Sequence, residues 1–212
     1  MEVATDMFVE RGYAATTLLD IAKEAGVATR TLYQHFGDKE AIFREVIFAR
    51  DTAAIDPPQV APDDDLRSAL MTAAKYSFEI SLRQRAIELM RLMIAESARF
   101  PELMSKVTNT IFTRFKANVA EVFRELARRG LIPDGDHDQS AELFVDLMLG
   151  NSTVMIYFGW RSAHPTAEDV AAKIELFIRG RFGESAIAPA GGKKARATLA
   201  KPSAKAPRIR QV

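Results

Sequence analysis

Thr29, Arg30, Thr31, Tyr33, Gln34 and His35 crowd the end of the run TLLDIAKEAGVATRTLYQHF, Thr17 to Phe36. These residue types suit contact with nucleic acid. Arginine can donate two parallel hydrogen bonds to guanine O6 and N7, glutamine can pair with adenine, and threonine can meet the thymine methyl. Tyrosine and histidine carry donors for phosphate oxygens, which fix position without specifying sequence. On a helix, Leu32 and Phe36 lie four apart and face inward, which puts Thr29, Arg30, Tyr33 and Gln34 outward. No rival chemistry converges elsewhere. The histidines His35, His137 and His164 are scattered, no pair has metal-ligand spacing, and there is no glycine-rich phosphate loop. We therefore expect no catalysis, no metal and no cofactor. The triplet Asp63-Asp64-Asp65 sits at a helix start, where acids serve capping and the dipole.

Short helices must position that outward set. A first helix is expected from about Glu2 to Glu10, stopped at Gly12. Thr17-Leu18-Leu19-Asp20 reads as a capping box, in which the Thr17 hydroxyl accepts the Asp20 amide and Asp20 reaches back. The second helix ends at Gly26. A third runs from Thr29 to Phe36 and stops at Gly37, and Asp38 caps a fourth from Lys39 to about Ala53. The turn Ala25-Gly26-Val27-Ala28 joins helices two and three into a helix-turn-helix. Small Ala22 and Ala25 allow close approach, and Ile21, Val27 and Leu32 are expected to fill the wedge. Lys39 and Thr17 open helices whose free amides and positive dipole end favour phosphate. An ordinary helical hairpin with solvated polar residues fits the same pattern, so the residues alone leave both readings open.

The remainder is helical too, so the chain is all-α. Apolar residues recur at three- and four-residue spacing, as in Ile111, Phe115, Val119, Val122 and Phe123, and strict alternation is absent. Ile55 to Pro62 is a proline-rich loop, after which Asp63 or Asp64 caps a helix to about Leu82. Further helices are expected at about 85–99, 101–129 and 139–158. A second capping box, Thr166-Ala167-Glu168-Asp169, opens a last helix to about Arg179. The chain has 212 residues, 48% of them hydrophobic and 27% charged, enough to bury a core. It lacks cysteine, which excludes disulfides and thiolate chemistry. It also lacks an apolar run long enough to cross a membrane, and its start does not read as a secretory leader, so a cytoplasmic location is expected. The net charge of +1 conceals an asymmetry: residues 183–212 carry +6 and residues 1–182 carry −5. Any nucleic-acid affinity of the folded part must come from a local patch. Residues 183–212, rich in Ala, Pro, Gly, Lys and Arg, are expected to be disordered.

The pattern Phe8-x-x-x-Gly12-Tyr13-x-x-Thr16-Thr17-x-x-Asp20-Ile21-Ala22-x-x-Ala25-Gly26-Val27-x-x-x-Thr31-Leu32-Tyr33-x-His35-Phe36-x-x-Lys39-Glu40-x-Ile42-Phe43 closely resembles the N-terminal domain of TetR-family transcriptional regulators. The segment from Arg91 to Leu103 resembles the AefR-type C-terminal subgroup of that family. Members have a further basic turn before helix 1. Here that helix starts almost at Met1, which leaves room for an upstream start. Members often have Ser where Ala28 stands, so capping of the recognition helix is expected to pass to Thr29. The resemblance implies about nine helices: a DNA-binding domain (1–50), an effector-binding and dimerisation domain (51–182) and the basic tail (183–212).

It further implies a homodimer on double-stranded DNA with a palindromic operator, since one short helix reads only a few base pairs and two-fold symmetry doubles the site. Thr17, Thr29, Arg30, Thr31, Tyr33, Gln34, His35 and Lys39 are the expected DNA contacts. Leu143, Leu147, Val154, Ile174, Phe177 and Ile178 on the last two helices are the expected dimer contacts, with burial in the monomer core as the alternative. Met90, Met93, Met104, Phe112, Phe115, Met148, Asn151, Met155 and Phe158 are the candidate pocket for an apolar effector; a Met/Phe stripe at helical spacing also serves as plain core. The resulting expectation is a repressor released from its operator by such an effector. A constitutive, nucleoid-type DNA-binding dimer without effector is the rival, and the basic tail is a candidate for salt-sensitive DNA affinity.

Overall fold

The computed structural model describes residues 1–51, 56–160 and 165–183, the side chains of 48–51 excepted. Nine helices and no strand occur among the described residues. The expected end of helix 4 at Ala53 and the basic tail beyond Gly183 lie outside them.

Helix α1 (Glu2–Ala15) is two pieces rather than one, because Gly12 takes φ 83° and ψ 163° and turns the chain out of the helix. Thr17 caps α2 (Leu18–Glu24), its hydroxyl accepting the Asp20 amide at 3.1 Å. The reciprocal contact differs from the expected one. Asp20 takes the proton of the Thr17 hydroxyl at 2.5 Å instead of the Thr17 amide. Helix α3 (Thr29–Phe36) begins at Ala28, which offers no side-chain cap, and capping does not pass to Thr29. Asp38 caps α4 (Lys39–Asp51) by accepting the Ala41 amide at 2.7 Å. Ala22 and Ile21 are buried in the wedge as expected, but Val27 is 42% exposed and does not fill it. Leu18 is buried in the same core, against which half-buried Leu32 and Phe36 pack.

Asp65, not Asp63 or Asp64, caps α5 (Leu66–Leu82), accepting the Ser68 amide at 2.8 Å. Asp64 is spent one turn earlier on the Ala61 amide. Then follow α6 (Gln84–Glu96) and α7 (Pro101–Arg128), with Pro101 in the first turn, where its missing N–H leaves nothing unpaired. Asp136 starts α8 (His137–Tyr157) two residues before the expected position. The capping box of Thr166 and Asp169 opens α9 (Ala167–Phe182). Gly150 breaks α8 with φ 38° and ψ −156°. The Lys173 ammonium on α9 donates to the Met148 carbonyl at 2.9 Å, beside that break.

Two cores carry the packing. One gathers Phe8, Tyr13, Ile42, Phe43 and Val46 of α1 and α4 with Leu89, Leu92 and Met93 of α6 and Leu103, Met104 and Val107 of α7. Tyr13 is its aromatic hub, with ring centroids 4.9 Å from both Phe43 and Phe100. The other joins α5, α7, α8 and α9 through Leu70, Phe123, Phe144, Met148, Ile174, Phe177 and Ile178. Each buried side chain of this size contributes about 1.5–3 kcal/mol. The packing around α1–α4 thus runs across residue 50 into α6 and the start of α7.

Candidate nucleic-acid interface

Helix α3 presents Arg30, Thr31, Tyr33, Gln34 and His35 to solvent and keeps Thr29 half-buried. This follows from its phase: Leu32 and Phe36 lean on the N-terminal core and fix which side faces out. Tyr33 is 55% exposed, unusual for a ring that size, and nothing in the described chain covers it. The His35 ring meets Phe36 edge-on at 4.6 Å, which holds the imidazole at the lower end of the helix. Arg30 and Gln34, four apart, share one outward stripe, and both side chains are of the bidentate kind that can pair with base edges.

Two expected phosphate contacts are placed differently. The Lys39 ammonium turns inward, donating to the Tyr13 carbonyl at 2.8 Å and sitting 4.3 Å from the Tyr13 ring centroid. Burial pulls its pKa below the usual lysine range. The carbonyl it reaches lies one residue past Gly12, where the helix break frees acceptors, so Lys39 fastens α4 to α1 in this structure. The Thr17 hydroxyl is engaged with Asp20 on both its donor and acceptor sides. That bond holds the Asp20 carboxyl below its usual range, leaving an ionised acid at the α2 start.

A cavity of about 60 Å³ lies where five helices converge. Four of its expected lining residues are there: Met90 and Met93 on α6, and Phe112 and Phe115 on α7. Ile80 and Ser81 of α5, Leu89 of α6, Ile111 of α7 and Tyr157 of α8 complete most of the wall. Ile47 reaches in from α4, which sequence reasoning did not anticipate. The other five candidates are elsewhere. Met104 is buried in the N-terminal core and Met148 in the C-terminal one. Asn151 is exposed and Met155 half-buried, while Phe158 stacks on Trp160 at 5.1 Å on the surface. Extending one helical stripe from Met148 to Phe158 fails because Gly150 resets the phase between them.

The expected dimer residues also divide. Ile174, Phe177 and Ile178 occupy the single chain's own core, where Phe177 lies 5.1 Å from Phe144 and 5.7 Å from Phe123. Burial in the monomer core, the alternative reading for these positions, is what the structure shows for them. Leu147 is half-buried on the same core. Leu143 and Val154 are exposed on α8, as is Leu176 on α9, which the reading of periodicity missed.

Long-range polar ties connect α6 to its neighbours, and no motif announced them. Arg85 pairs with Asp6 of α1, Glu96 accepts the Ala14 amide, and Arg91 donates to the Tyr157 and Ile156 carbonyls at the end of α8. In sequence these are ordinary charges on a helix, 65 or more residues from their partners.

A family model of the bacterial regulatory proteins of the tetR family matches residues 1–46. A second, the C-terminal domain of AefR-like transcriptional repressors, matches residues 68–179. The transcriptional repressor KstR2 of Rhodococcus jostii (strain RHA1) is 29% identical over 186 residues, covering 84% of this chain and 86% of that one. The solved structure of a TetR-family regulator from Mesorhizobium loti MAFF303099 superposes with a TM-score of 0.68 at 26% identity, covering 84% of this chain and 93% of that one. A TetR regulator from Agrobacterium tumefaciens shares the fold at a TM-score of 0.72 and 18% identity, covering 88% and 94%. Among the described residues, no helix is long and apolar enough to cross a membrane. With the helix-turn-helix exposing its reading face and both halves of the chain matched, the protein belongs to the TetR family and is a DNA-binding transcriptional regulator, not an enzyme.

Proposed function

We propose that the protein is a homodimeric repressor that leaves a palindromic operator when an apolar small molecule enters the cavity between α4 and α8. The carrying observation is Ile47: it belongs to α4, which packs on α1 and α3, and it also lines the cavity. A cavity of about 60 Å³ is smaller than the roughly 150 Å³ that accommodates benzene. An effector must therefore push walls apart, and α4 is one of those walls. The flexible thioethers of Met90 and Met93 give way most readily. Displaced α4 carries α3 with it, so the effector favours a state whose two recognition helices no longer match successive major grooves.

In this reading Arg30 and Gln34 read bases, Thr29 and Thr31 add contacts, and Tyr33, His35 and Thr17 hold phosphates. Lys39 joins them only if its bonds to the Tyr13 and Ala14 carbonyls open. The second copy of the chain covers Leu143, Val154 and Leu176. The small size of the cavity also favours a second reading, a constitutive DNA-binding dimer. Site selection from random DNA at stated salt, followed by a screen for compounds that release the selected site, separates the two. An enriched palindrome with a releasing compound supports the proposal. A palindrome that no cavity-binding compound releases supports the constitutive dimer.

A further inference from the structure

Resting on the effector reading of this cavity, we propose that the group seated in it is an uncharged hydroxyl compound, a phenol or alcohol, anchored by Tyr157 and Ser81. The wall is aliphatic, thioether and aromatic except at one spot. Among the described lining residues only Ser81 and Tyr157 bear polar side chains, and none is an acid or a base. An ionised group seated here is stripped of water without a counter-charge among them, a cost that selects against carboxylates.

The polar spot has a defined direction. The Tyr157 hydroxyl donates to the Ser81 main-chain carbonyl at 3.1 Å. Its proton is committed, so its oxygen offers lone pairs, and Tyr157 acts as an acceptor toward the cavity. A ligand that meets it must donate. A hydroxyl does so, and its own oxygen can take the proton of the Ser81 hydroxyl, which has no hydrogen-bond partner among the described residues. A ketone or ester can take the Ser81 proton but has no donor for the Tyr157 oxygen, so it meets only one of the two groups. Burial pushes the Tyr157 pKa up to about 12, so the ring stays neutral through the physiological range.

The anchor is held from both sides. Arg91 on α6 donates to the Tyr157 carbonyl at 2.8 Å and to the Ile156 carbonyl at 3.0 Å, fixing the last turn of α8. The rings of Phe112 and Phe115 and the sulfurs of Met90 and Met93 favour an aromatic body, since thioethers sit well against ring edges.

The test uses the full chain and three matched probes, 4-ethylphenol, ethylbenzene and 4-ethylbenzoate, at pH 7.5. Binding is read from thermal shift and from the fluorescence of the single tryptophan, Trp160, three residues beyond Tyr157. The expected order is 4-ethylphenol about tenfold tighter than ethylbenzene, with 4-ethylbenzoate weakest. In Tyr157→Phe the phenol loses its advantage while ethylbenzene binds as before, a change of ratio that a purely structural role of the hydroxyl does not produce. Ser81→Ala narrows the same ratio and serves as the second variant if Tyr157→Phe unfolds. Preference for 4-ethylbenzoate, or a phenol advantage that survives both variants, overturns this inference alone. If none of the three binds, the effector reading of the cavity falls with it.

Discussion

The Glu96 carboxylate of α6 accepts the Ala14 amide of α1 at 3.3 Å, across 82 residues of sequence, just past the point where Gly12 turns the chain out of its helix. The break frees an amide that an unbroken helix would use internally, and an acid from the larger half of the chain takes it. At the other end of α6, Arg85 holds Asp6 of the same helix. Helix α6 therefore grips α1 at two places, and its middle faces the cavity with Leu89, Met90 and Met93. The cavity wall is in this way tied to α1 of the helix-turn-helix domain by polar as well as apolar contacts.

Gly12→Ala tests that junction. Its φ of 83° penalises any side chain, and a Cβ placed there meets Glu96 Oε1 at 2.8 Å. Together these should cost about 2 kcal/mol, lowering Tm by about 4–8 °C in calorimetry. Glu96→Gln keeps an acceptor for the Ala14 amide and should cost clearly less than Glu96→Ala. Equal losses in the two Glu96 variants would show that the hydrogen bond contributes nothing.

Arg30→Ala and Gln34→Ala should each weaken binding to the selected operator by about 1–3 kcal/mol and relax preference at one base position. Tyr33→Phe should weaken all sequences alike, because a phosphate contact carries no base information. Binding isotherms on matched and singly mismatched duplexes at fixed salt distinguish these patterns. A Tyr33 variant that alters base preference would move Tyr33 from positioning to reading.

Much of this is legible in the amino-acid sequence. Local signals placed the starts of α2, α4, α7 and α9, since Thr17, Asp38, Pro101 and Thr166 act locally and need no tertiary knowledge. The outward face of α3 followed from the spacing of Leu32 and Phe36 alone. What the sequence left undecided depended on choices that periodicity leaves open. Ile174, Phe177 and Ile178 form one apolar stripe whether it faces its own chain or another, and the neighbouring rings Phe123 and Phe144 decide. The stripe from Met148 to Phe158 assumed a straight helix, which Gly150 denies. Lys39 looked like a phosphate ligand because sequence cannot show the Tyr13 carbonyl beneath it.

The division of apolar residues on α8 and α9 gives a paired prediction. Leu143→Glu combined with Leu176→Glu changes positions exposed in the single chain, so the variant should still fold, melting below the parent only by what the lost dimer contact contributes. It should also sediment as a monomer, because two charges placed in an isologous patch repel their own copies. Phe177→Glu, by contrast, buries a carboxylate among three rings and should not fold. A Leu143/Leu176 variant that remains dimeric would place the interface elsewhere.

Ala86→Val addresses the link between cavity and operator. Ala86 is half-buried on α6 and lines the cavity, so added methyl groups occupy space a ligand needs without contacting DNA. A β-branched residue in a helix costs only about 0.5 kcal/mol, too little to disturb the fold. Operator affinity should stay within about twofold of the parent, and release by any cavity ligand should weaken sharply. The reasoning rests on Ile47: because α4 forms part of the same wall, a cavity filled by the protein itself leaves an effector nothing to displace. Undiminished release in Ala86→Val would mean that the effector acts from another surface, and α4 would then have to be moved through α6 and its ties to Asp6 and Ala14.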